Sequence, residues 1–429
     1  MAMVLNRLSA LDAVRMLQRR ELSAVQLMRA CFARIEQRED SVHAWAALDK
    51  EAALARAMAL DNGAITGPLH GLPFGVKDVF DTQDLPTTYG SPIYRGHRPE
   101  ADAGAVGRSR QAGALVAGKT ISTEFATFKA PLTRNPHNTA YTPGGSSSGS
   151  AAAVADFMVP FALGTQTAAS VIRPAAYCGV VGFKPSFGAI PRDGIKLLAP
   201  TLDTVGCFTR TVDDAALVAS VLMDQPGLRR LDYDGPPRVG IYRTPQWRHT
   251  LPETREAMMQ AAETLGRARA VVQEVDTPPE YCALVQLQSD IMAYEAARSL
   301  AAEREQHASQ ISPGLLALLQ GGDKIDQARH EANLQRASDM HSHLRGWFDR
   351  FDVLLTPSAP GEAPFADQGT GDPLFGRVWT LFGLPCIHLP FATGPHGLPV
   401  GLQAVGAKGN DHRLLCIAKW MHDKLRPQG

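Results

Sequence analysis

The chain has 429 residues, 45% of them hydrophobic and 20% charged, which is the balance of a folded protein rather than a disordered chain. Its 43 Lys and Arg are offset by 43 Asp and Glu, so charge gives no support for nucleic acid or an anionic membrane as a partner. Six cysteines (Cys31, Cys178, Cys207, Cys282, Cys386 and Cys416) lie far apart with no C-x-x-C pair, a pattern that argues against a disulfide frame or zinc knuckle and predicts reduced, mostly buried thiols in a cytoplasmic protein.

No stretch approaches the roughly 20 apolar residues of a membrane span. The first twenty residues carry Arg7, Asp12, Arg15, Arg19 and Arg20 and no apolar core ahead of a cleavage site, so no signal peptide is expected. Leu8, Leu11, Val14 and Leu17 recur at helical spacing, and Ser23 stands where an N-cap would precede AVQLMRACFARI. A third helix is predicted at about 49–60, closing an N-terminal helical segment, 1–64.

From Leu72 short apolar runs alternate with Gly, Pro and Ser: LPFGV at 72–76, ALVAG at 114–118, FMVPFALG at 157–164 and GVVGF at 179–183. These read as buried strands within a core at 71–215. A mainly helical, variable stretch follows at 253–348, broken at Pro313-Gly314 and Gly321-Gly322. RVGIY at 238–242, DVLLT at 352–356, CIHLPF at 386–391 and VGLQAVG at 400–406 predict further strands, the last three in a C-terminal segment, 352–429. Sheet-like runs at both ends favour one large α/β domain, 1–429, with a central mixed sheet covered by helices on both faces.

Three motifs compete for the chemistry. GALVAGKT at 113–120 matches the P-loop pattern, but its middle residues favour a strand rather than a phosphate cradle, and a polar helix-like segment precedes it where a strand is required. GSSSG at 145–149 matches G-x-S-x-G and would make Ser147 an elbow nucleophile, with Asp203 and His388 completing a triad on paper. That motif needs a strand directly before it, and here a loop precedes it. The third reading joins GVKD at 75–78, PGGSSSGS at 143–150 and GTQTAASVIRPA at 164–175. A serine hydroxyl needs a base. Lysine is a base only when neutral, which burial promotes, and Lys77 ends an apolar run. Taken singly, each piece reads better as a solvent-exposed lysine or a serine turn.

Together the pieces resemble the amidase signature family, most closely its malonamidase-like short members. GLPFGVKDVFD (71–81), TRNPHNTAYTPGGSSSGSAAAVA (133–155), GTQTAASVIRPAAYCGVVGFKPS (164–186), LDTVGCFTRTVDD (202–214) and GLPVGLQAVG (397–406) carry the resemblance. It implies a catalytic trio: Ser170 as nucleophile, Ser146 after a cis peptide bond as the bridging serine, and Lys77 as base. The spacing of the two serines favours Ser146 over Ser147. The backbone N–H groups of Thr167, Ala168, Ala169 and Ser170 would form the oxyanion hole, Arg173 and Ser147 would contact substrate, and no metal or organic cofactor is called for. Arg173 has two readings, a guanidinium for a substrate carboxylate or a structural partner of a protein carboxylate. The family often has Asp-Thr-Gly-Gly-Ser where this chain has Gln166-Thr167-Ala168-Ala169-Ser170, and alanine at φ > 0 would be unfavourable.

The resemblance implies an amidase hydrolysing a small, carboxylate-bearing amide through an acyl-enzyme. The expected partner is that small molecule, with no nucleic acid or membrane and a homodimer left open. The C-terminal end at Gly429 and the Gln166/Arg173 pattern favour this free-standing hydrolase. The alternatives are the A subunit of a glutamyl-tRNA amidotransferase, which releases ammonia from glutamine and needs partner subunits, and a catalytically impaired amide-binding protein. Tyr94, Phe128, Leu132, Tyr294 and Phe382 are weak pocket candidates. His137, His341 and His343 fit no shared metal spacing.

Overall fold

Ser23 caps the long helix Ala24–Val42 as its position predicts: its hydroxyl accepts from the N–H of Gln26, whose side chain returns a bond to the N–H of Ser23, a complete capping box. The buried face of that helix, with Leu27, Met28, Cys31 and Ile35, packs into the core. In this computed structural model, residues 4–425 are described, apart from the side chains of His343 and Arg345. The predicted segments at 1–3 and 426–429 therefore lie outside the described residues.

Eleven strands form a single mixed sheet: β1 (Trp45–Leu48), β2 (Pro73–Lys77), β3 (Leu115–Thr120), β4 (Phe161–Gln166), β5 (Val181–Lys184), β6 (Thr204–Thr209), β7 (Arg238–Ile241), β8 (Val271–Glu274), β9 (Val353–Pro357), β10 (Cys386–Thr393) and β11 (Pro399–Val405). Their order is β1-β3-β2-β4-β6-β5-β10-β11-β9-β7-β8. β2 lies parallel to both β3 and β4, with Lys77 opposite Thr120 and Val76 opposite Leu163. β6 runs antiparallel between β4 and β5. Every residue of β2, β3, β4 and β6 is buried, because helices cover both faces of the sheet.

One apolar cluster runs from the N-terminal helices through the sheet to the C-terminal helix Asp411–Leu425. A second joins Tyr242, Tyr281, Ile291, Trp379 and Phe382 and binds the variable helices to the rest. All six thiols are free; five are buried and Cys282 is exposed. No helix among the described residues is long and apolar enough to cross a membrane.

Candidate active site

In open α/β sheets ligands gather beyond the carboxyl ends of parallel strands. Here the ends of neighbouring β2 and β4 bring Lys77 and Thr165 together. Lys77 is 0% exposed. Its Nζ donates to Ser146 Oγ at 2.7 Å and to Thr165 Oγ1 at 2.8 Å. Burial pulls its pKa down to about 7, against the opposing pull of the Asp203 charge. Asp203 is buried too, and burial raises its pKa to about 6. Its carboxylate accepts from the Thr167 hydroxyl and from the N–H groups of Leu198 (2.6 Å) and Ala199 (3.0 Å).

The Gly/Ser loop carries Ser146 to this lysine. The Gly145–Ser146 peptide bond is cis, and the Ser146 carbonyl accepts from the N–H of Thr123 at 3.2 Å. The other serines stitch the loop and the helix Ser148–Ala155 to the sheet. Ser147 Oγ faces the Thr165 carbonyl at 3.3 Å, Ser148 Oγ donates to the Gly144 carbonyl at 2.7 Å, and Ser150 Oγ donates to the Leu163 carbonyl at 2.8 Å. Gly149 is needed for close approach, since a Cβ there would sit 2.2 Å from the Ala44 carbonyl oxygen. The pattern G-x-S-x-G is therefore met by packing. His388 bonds Ser358 at 2.7 Å (Nδ1 to Oγ) and Asp203 bonds Thr167, so no triad assembles on Ser147.

Thr167, Ala168, Ala169 and Ser170 form the turn between β4 and the helix Ile172–Cys178. Gln166 secures the start of that helix: its Oε1 accepts from the N–H groups of Val171 (2.9 Å) and Ile172 (3.0 Å). Neither Ala168 nor Ala169 adopts positive φ, so replacing glycine by alanine carries no left-handed strain here. Among the described residues, the backbone N–H groups of Thr167, Ala168, Ala169 and Ser170 have no acceptor. Ser170 is 7% exposed, and its hydroxyl makes no hydrogen bond among the described residues. The geometry thus joins Lys77, Ser146 and Thr165 in one bonded chain, of which Ser170 is not a bonded member. A cleft lined by Thr165, Thr167, Arg192, Lys196 and Asp203 opens beside them.

Arg173 is 4% exposed and fits neither expectation closely. Its guanidinium donates to the Gly371 carbonyl, to the Gly145 carbonyl at 2.7 Å and to Thr370 Oγ1 at 3.3 Å, while its Nε has no partner among the described residues. Lys119 of the P-loop-like motif is the last but one residue of β3. It is buried and held by Phe80, Thr82, Thr87 and Asp78, so it has no phosphate to meet.

The pocket candidates disperse. Phe128 and Leu132 are 43% and 69% exposed, Tyr294 stacks on His330, and Tyr94 bonds Glu303 at 2.6 Å. Among the described residues no group of three or more His, Cys, Asp or Glu could hold a metal ion; the His343 side chain lies outside them. Gln288 and Thr380, which contact this site, carried no signal in the sequence, and Thr165 lay inside a quoted motif without being singled out.

A buried lysine bonded to a serine, beside a turn of free backbone donors, is an arrangement suited to cleaving an amide. The sequence model of the Amidase family matches residues 26–415, and the chain belongs to that family, as a hydrolase acting on amides. A solved amidase is 32% identical with a TM-score of 0.90, covering 98% of this chain and 100% of that one. The native peptide amidase of Stenotrophomonas maltophilia is 28% identical with a TM-score of 0.84, over 98% and 97%.

The A subunit of glutamyl-tRNA(Gln) amidotransferase from Lachnospira eligens is 32% identical over 90% of this chain and 92% of its own length. The protein of that name from Chloroflexus aggregans is 33% identical over 92% of each. These relatives, named as parts of a larger enzyme, overturn the expectation that a small-molecule amide is the sole partner. They also support the amidotransferase alternative better than the free-standing reading.

Proposed function

We propose that this chain is an amidase of the amidotransferase type, which hydrolyses the side-chain amide of glutamine through a Ser170 acyl-enzyme and releases ammonia within an assembly. The observation that carries the chemistry is the 2.7 Å contact between the desolvated Lys77 Nζ and Ser146 Oγ. Once Lys77 has lost its proton, two N–H bonds remain, one of them serving Thr165, and the lone pair faces Ser146. Lys77 then takes the Ser146 proton as Ser146 takes that of Ser170, and Ser170 Oγ attacks the amide carbonyl.

The oxyanion is received by N–H groups of the turn Thr167, Ala168, Ala169 and Ser170; losing one such donor typically costs roughly 10²–10³ in rate. The relay returns a proton to the leaving ammonia, and water cleaves the acyl-enzyme. Ser147 and Arg173, both tied to backbone, hold the loop around Ser146. A substrate carboxylate would have to reach the N–H groups of Arg173 left free, one at Nε and the second on Nη1.

The test is ammonia release from glutamine by the purified chain and by whatever assembly copurifies with it, with Ser170→Ala as control. Ser170-dependent release that rises with the copurified partners supports the proposal. Fast turnover of simple primary amides with glutamine untouched would replace it with the second reading, hydrolysis of a small amide, which is favoured by the full-length match to the solved amidase. Absence of fluorophosphonate labelling at Ser170 would favour a binding protein.

A further inference from the structure

The four free donors of the turn need a cause for their aim. In a trans peptide the C=O and the following N–H point in opposite directions, and the one cis bond among the described residues lies elsewhere, at Gly145–Ser146. Whatever grips the Thr167 carbonyl therefore aims the Ala168 N–H, and whatever grips the Ala168 carbonyl aims the Ala169 N–H.

Both grips come from outside the motif set. Gln288 Nε2, on the helix Leu284–Ser299, donates to the Thr167 carbonyl at 2.9 Å. Thr380 Oγ1, on the short helix Arg377–Leu381, donates to the Ala168 carbonyl at 2.7 Å. Gln288 and Thr380 are each 0% exposed, so water does not substitute for them. Each is held in turn. Arg377 donates to Gln288 Oε1, which fixes which end of the amide faces Thr167, and Gln166 Nε2 donates to Thr380 Oγ1 at 2.9 Å, which leaves the hydroxyl hydrogen for a carbonyl, Ala168 at 2.7 Å being nearer than Gly376 at 3.1 Å. The same helix presses close, since a Cβ on Gly376 would lie 2.6 Å from Ala169 Cβ.

We propose that Thr380 and Gln288 are positioning residues that aim the Ala168 and Ala169 N–H groups at the oxyanion, an inference that rests on Ser170 being the nucleophile. Neither touches substrate. They set the direction of two donors whose worth appears only in the transition state, so their loss lowers kcat and leaves KM nearly unchanged.

Hydrolysis of a reactive anilide and inhibition by an aldehyde that adds to the nucleophile test this in wild type, Thr380→Val, Thr380→Ser, Gln288→Leu and Ser170→Ala. The expected result is a kcat loss of roughly tenfold or more in Thr380→Val and Gln288→Leu, part of the cost of losing a donor outright. KM should stay within about twofold, aldehyde binding should weaken in proportion to kcat, and Thr380→Ser should keep most of the rate. A kcat within about twofold of wild type in both variants, a loss confined to KM, or a Thr380→Ser no better than Thr380→Val would overturn the proposal. Should Thr380→Val fail to fold, Gln288→Leu on its separate helix carries the same comparison. Equal rates in wild type and Ser170→Ala would instead remove the nucleophile beneath it.

Discussion

Lys77 meets no carboxylate directly among the described residues; two hydroxyls are its bonded partners, and burial sets its pKa near 7. The proposed relay needs the neutral amine, so kcat/KM should climb with pH through about 7 and level off above it. Lys77→Ala should abolish that profile together with the activity, and a profile unchanged in the variant would take lysine out of the mechanism. The neighbouring turn offers a second residue-scale test. Gly376→Ala should destabilise the chain and slow the reaction, because the new Cβ meets Ala169 Cβ at 2.6 Å as well as the Ala168 carbonyl oxygen at 2.9 Å. Ala169→Gly should restore part of the loss, since it removes the first contact and leaves the second. A double-mutant cycle on thermal midpoint and kcat measures that coupling, and strictly additive effects would refute it.

Helices and strands were legible in unequal measure, and for physical reasons. The helix Ala24–Val42 announced itself through Ser23; Ser23→Ala should cost about 1 kcal/mol in a denaturant titration. β2, β3 and β4 showed as apolar runs because both of their faces are covered. β6 is equally buried, yet its TVGCFT mixes threonine, glycine and cysteine and offers no such run. β1 is four residues, two of them alanine, and pairs with β3 across a bulge. β8 is largely exposed, at the sheet edge, inside a stretch that reads as helix. In the site, Lys77 and Ser146 stand out because amine and hydroxyl chemistry inside a recognisable motif has few other uses. Thr380 and Gln288 arrive from distant helices as ordinary residue types, and only the closed fold reveals what they hold.

At the scale of the whole molecule, burying amines makes stability depend on pH. The folded pKa values of Lys77 and Lys119, about 7 and about 8, lie below the ordinary 10.5. Between those values the unfolded chain binds more protons than the native one, so stability rises with pH across that window. The urea midpoint of wild type should therefore increase from about pH 7 to about 9.5 more steeply than that of Lys77→Met. Equal slopes would mean that Lys77 titrates normally.

One guanidinium adds a mechanical consequence. Arg173, on the helix that begins just behind Ser170, grips the carbonyl just ahead of Ser146. The two serines therefore hang from a single caliper, and Arg173 should hold the gap between them constant when the eleven-stranded sheet flexes. Arg173→Met should loosen that gauge, with a loss of turnover larger than its loss of thermal stability would suggest.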